Sequence, residues 1–165
     1  MKTHRSMVIV AILALGLLST AAGNRIFSKA SLSDVSTVTA DPTDGAWAVA
    51  SATVGGGQTV VVLNVKDLDR SEAGRRLGAH VHVGPCVGGN GAAALGHYRV
   101  AGAAVSSETE VWLDFTISNG GTGHARAIVP FEIAPGDAHS IVIHHDPTAE
   151  NGAAGARLGC IPLEF

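Results

Sequence analysis

The chain has 165 residues, enough for one domain with a core of its own, and a formal net charge of −3 from 11 Lys and Arg against 14 Asp and Glu. Its cations are few and scattered, which excludes a nucleic-acid partner, since phosphate binding needs a basic patch. Seven aromatic residues of the Phe, Trp and Tyr types offer no stacking platform, whereas 21 glycines with short Val, Thr and Ile runs favour an all-β domain rich in turns.

The first 22 residues read as a secretory signal peptide. Lys2, His4 and Arg5 make a positive start, Met7 to Leu18 is apolar, and Ser19-Thr20-Ala21-Ala22-Gly23 supplies small residues for cleavage near Ala22. This predicts export, to the periplasm, the cell surface or the medium, with no membrane segment left after cleavage. Residues 23–44, rich in Ser, Thr and Ala, read as a linker or extended lead-in. The folded domain is then expected over residues 45–165.

Within it, Ala46 to Val54 and Gln58 to Leu68 read as strands joined by the turn Gly55-Gly56-Gly57. Asp69 to Arg76 is polar and reads as a loop. Leu77 to Val83 is a strand carrying His80-Val81-His82, and in a strand residues i and i+2 share a face. Both imidazoles therefore project together and can share one metal ion; neutral imidazole suits copper or zinc. Pro85 to Gly96 is a glycine-rich loop that ends at His97. Thr109 to Ser118 alternates, with Val111, Leu113 and Phe115 on one face, and Asn119-Gly120-Gly121 predicts a hairpin returning as His124 to Ile133. A turn at Pro135-Gly136-Asp137 precedes a strand from His139 to His144. A loop from Pro147 to Gly155 leads into the last strand, Ala156 to Phe165. Short strands at these intervals predict a β-sandwich or Greek-key barrel. The two cysteines, Cys86 and Cys160, are expected to form a disulfide in an oxidising compartment.

Four pieces in order, GAHVHVG, GHY at Gly96 to Tyr98, SIVIHHD at Ser140 to Asp146 and GARLGC at Gly155 to Cys160, resemble the copper/zinc superoxide dismutase family over roughly Ala46 to Phe165. The resemblance implies that family's Greek-key sandwich, of immunoglobulin-like architecture. It makes His80, His82, His97 and His144 copper ligands, with Cys86 and Cys160 its disulfide. Arg157 would attract anionic superoxide beside the open copper position, and His97 would leave copper on reduction and help deliver a proton.

The chain departs from the zinc-binding members: no histidine occurs between His97 and His124, and the segment from His144 to Arg157 is short. Both features resemble the copper-only branch, so copper is the expected cofactor and zinc is not. Without zinc, a carboxylate is expected to orient His97, Glu110 first and Asp146 second. His124, His139 and His145 read as surface residues. The competing reading is a non-catalytic copper-binding or structural domain, akin to CHRD domains with their similar AHxH-G stretch; GARLGC argues against that kinship. Oligomeric state is left open by the sequence.

Overall fold

A computed structural model describes residues 23–165. The signal peptide read over residues 1–22 lies outside the described residues. In chain order the strands are β1 (Asn24–Ser31), β2 (Ser33–Asp34), β3 (Trp47–Gly55), β4 (Gln58–Lys66), β5 (Arg76–His82), β6 (Phe115–Thr116), β7 (Gly123–Val129), β8 (Ser140–His144) and β9 (Arg157–Pro162). They form two antiparallel sheets, ordered β1-β3-β4-β7 and β2-β9-β8-β5-β6, as the all-β reading requires.

Period-two alternation puts one face of each sheet into a shared core. Ala48, Ala50 and Ala52 of β3 sit opposite Val65, Leu63 and Val61 of β4, and all six are buried. From the second sheet, Leu77, Ala79 and Val81 of β5 and Ile141 and Ile143 of β8 join the same cluster.

β5 and β8 are buried on both faces, apart from Arg76 at the start of β5. Their outward residues, His80, His82, Val142 and His144, lie under two loops rather than in water. The first loop leaves β5 after His82. It is pinned by the Cys86–Cys160 disulfide, whose Cα atoms are 5.6 Å apart, which bears out the expected pairing. Glycine at position 84 permits this path, because a Cβ there would stand 2.2 Å from the Ala93 carbonyl oxygen. The second loop follows His144 and presses onto Gly78, where a Cβ would meet the Asp146 carbonyl oxygen at 2.7 Å and the Ala154 methyl at 2.9 Å.

Three expectations need correction. The folded unit does not begin at residue 45: within the segment read as a linker or extended lead-in, β1 pairs with β3 along all eight residues, and β2 pairs with β9. Ile26, Ser28 and Ala30 face inward but are only half-buried, so small and polar residues conceal the alternation. Thr109 to Ser118 keeps its alternation, with Val111, Leu113, Phe115 and Ile117 buried. Regular pairing nevertheless shrinks to β6 and two isolated bridges, His80 to Trp112 and Arg99 to Glu110. The turn at Asn119-Gly120-Gly121 forms, closed by Gly121 N–H to Ser118 O at 2.9 Å, but it does not make a hairpin. Instead it carries the chain from one sheet to the other, since β6 pairs with β5 and β7 with β4.

Candidate metal centre

His80 and His82 reach the outer face of β5 together because they are two residues apart. His144 stands opposite Gly78 in the adjoining β8, so it shares that face. His97 arrives by backbone pairing: Val83 N–H donates to Gly96 O at 3.1 Å and Tyr98 N–H to Val81 O at 2.8 Å. A bridge between His82 and His97 results. One ring nitrogen from each of the four histidines lies within 4.8 Å of the others. His80 and His97 stack with centroids 3.9 Å apart.

Hydrogen bonding at the far side of each ring fixes which nitrogen faces inward. A carbonyl only accepts, so His82 Nδ1–H donates to Leu95 O and His144 Nδ1–H to Gly155 O, both at 3.3 Å. His97 Nδ1–H donates to Glu110 Oε2 at 3.1 Å. The Thr148 hydroxyl donates to Asp114 Oδ1, so it accepts from His80 Nε2–H at 2.9 Å. What remains is a lone pair on Nε2 of His82, His97 and His144 and on Nδ1 of His80. The Nδ1 atom of His80 is buried with no hydrogen-bond partner among the described residues. His82 Nε2 and His144 Nε2 lie 3.2 Å apart, a contact between two lone pairs when both rings are neutral. A cation among the four nitrogens resolves both the orphan and the repulsion.

Electrostatics favour the neutral rings that metal binding requires. Burial, and then the neighbouring imidazoles, lower the pKa of His80 and His82 to about 2. Burial is also the leading cause for His144, lowered to about 4. The charge of Arg157 contributes to the shifts of His82 and His144. His80 and His82 are 0 % exposed and His144 4 %, whereas the His97 side chain is 19 % exposed, so solvent meets the cluster on the His97 side.

Arg157 pairs across strands with His144. Its guanidinium donates to the carbonyls of Gly91 and Leu95, and Leu95 O is also the acceptor for His82. One carbonyl therefore ties the guanidinium to a histidine of the cluster. Arg157 also flanks a cleft of about 460 Å³ lined by Val35, Gly91 and Leu95, which none of the four histidines reaches.

Of the two carboxylates offered by the sequence, Glu110 is the one that meets His97, and Trp112 Nε1–H steadies the same oxygen at 3.0 Å. Asp146 instead accepts from His145 at 2.7 Å. His124 pairs with Asn64 and His139 with Glu164, away from the four. Thr148, and the role of Asp114 behind His80, are not legible in the sequence. Asp114 holds the Thr148 hydroxyl and, at 2.9 Å, its backbone N–H, and forms an ion pair with Arg76 at 3.3 Å. The only signal in the sequence was an acid on the outward face of an alternating segment.

Fold and site together define a two-sheet antiparallel β protein with a buried group of four histidines able to hold a metal ion. No protein-family model and no curated protein matches this chain.

Proposed function

We propose that this chain is an exported, copper-dependent superoxide dismutase of the copper-only kind, with a Greek-key sandwich of the copper/zinc superoxide dismutase type. The observation that carries the reading is the convergence of four imidazole lone pairs whose opposite nitrogens are all engaged. Imidazole suits copper. Copper, when bound, supplies the alternation between two oxidation states that takes an electron from one superoxide and returns it to a second, giving oxygen and peroxide. His80, His82 and His144 hold the ion in a buried, water-poor setting. His97, the most exposed of the four, moves a proton at Nε2 while Glu110 holds its Nδ1–H. Arg157 adds positive charge that draws in a small oxyanion.

The crossing between sheets after Ser118 supports the Greek-key assignment. A site without zinc is supported by the surroundings of His97, where Glu110 occupies the nitrogen that a second metal would need. The disulfide supports an oxidising compartment. The burial of His80, His82 and His144 favours a second reading, a domain that holds copper without turnover.

One experiment separates the two. Copper-loaded protein should remove superoxide near the diffusion limit, and His80→Ala should abolish copper binding and activity together. Arg157→Ala should keep the copper, slow the reaction and weaken its dependence on ionic strength. A stoichiometric copper protein with no activity would establish the second reading instead.

A further inference from the structure

We propose that Asp34, Asp41 and Asp44 form a second cation site, for a hard divalent ion of the calcium type. It rests on no part of the copper reading. One carboxylate oxygen from each residue lies within 4.8 Å of the others. Three negative charges at that separation repel one another, and among the described residues none of the three forms an ion pair with Lys or Arg.

The independent observation is Asp41. Its residue is 9 % exposed, and Oδ1 is taken by the backbone N–H and hydroxyl of Thr43, both at 2.7 Å. Oδ2 is buried and has no hydrogen-bond partner among the described residues. A buried carboxylate oxygen left unpaired is costly, and a bound cation removes the cost.

The surroundings select the ion. Asp41 and Asp44, but not Asp34, line a cleft of about 370 Å³ with Asp67, Asp69 and Glu72. The donors are all oxygens, which suit calcium or magnesium rather than copper or zinc. Carboxylates from a strand end and an irregular segment fit calcium's tolerance of uneven geometry better than the near-octahedral demand of magnesium.

An ion here would also brace the loop that follows β5. Asp34 lies in β2, paired with Gly159 of β9, and its carbonyl accepts from Gly89 N–H at 2.9 Å. Joining Asp34 to Asp41 and Asp44 closes the 34–44 arm onto β9 and the loop that Cys86 anchors.

Terbium, which substitutes for calcium, reports the site by luminescence, because Trp47 Nε1–H donates to Asp67 Oδ2 beside the same cleft at 2.9 Å. Chelator-treated protein should show saturable, tryptophan-sensitised terbium binding that calcium displaces, with a calcium Kd on the order of 10⁻⁴–10⁻³ M. Calcium should raise the melting temperature. Asp34 and Asp44 are exposed, so the double variant Asp34→Asn/Asp44→Asn should fold and lose at least about tenfold in calcium affinity, about 1.4 kcal/mol. Absence of saturable binding, or unchanged affinity in the double variant, overturns the proposal.

Discussion

Among single residues, the four imidazoles differ in what holds them, and this sets what each substitution should do. Among the described residues Thr148 is the only hydrogen-bond partner of His80 Nε2, and it relays that hold to Asp114. Thr148→Val keeps the shape but removes the acceptor, so His80 loses its tautomer preference. Copper affinity should then fall by about 10- to 100-fold, read by competition with a chelator of known affinity. Acid should weaken the metal-free fold, because His80, His82 and His144 titrate well below an unfolded histidine. Above pH ~6.5 neither state binds the proton and the shifts cost nothing. Below it the unfolded chain takes up protons that the folded chain refuses. Stability should therefore decline from about pH 6.5 towards pH 4, in denaturant titrations of metal-free protein at a series of pH values. His80-Val81-His82 was legible in the sequence because a strand's period of two is strict. Thr148 was not, since a threonine in a glycine-rich loop carries no pattern until the fold brings it to His80.

Among the elements, the site is a product of close approach. The loop from Val83 to Gly96 returns beside its own starting strand, and that return delivers His97. Gly84→Ala sets a methyl against the Ala93 carbonyl, backbone against backbone, with no side chain to yield. It should cost about 1–3 kcal/mol in chemical denaturation and weaken copper binding as His97 shifts. β1 gives the complementary prediction. It forms a ladder along the whole of β3, so a chain starting at Gly45 loses those bonds. At about 1 kcal/mol per net hydrogen bond, the loss should exceed ~3 kcal/mol; a truncated chain as stable as the full one would return the segment to linker status. The sequence hid β1 because its inward positions, Ile26, Ser28 and Ala30, include only one large apolar residue. It showed the turn at Asn119-Gly120-Gly121 but not its destination, since the same turn chemistry serves a hairpin or a crossing between sheets.

Across the whole molecule, the face carrying the four histidines lies outside the main core, and its order depends on what clamps the covering loops. Val142 and Cys160 pack with Val35 and Ala94 in a small cluster beneath the first loop, separate from the main core. The disulfide spans 74 residues of sequence, and Cys86→Ser/Cys160→Ser should lower stability by about 2–5 kcal/mol. The loop carrying Leu95 would then be free to move away from His82 and Arg157, so copper affinity should fall with stability. The central claim is that all four imidazoles hold one ion. Electron paramagnetic resonance of the protein during Cu(II) titration, with pulsed detection of the coupled nitrogens, tests it most directly. A single signal saturating at one copper per chain, coupled to imidazole nitrogen and lost in His80→Ala and in His144→Ala, is the predicted result. Several weak signals, or a copper spectrum unchanged when His144 or His97 is replaced, would contradict it.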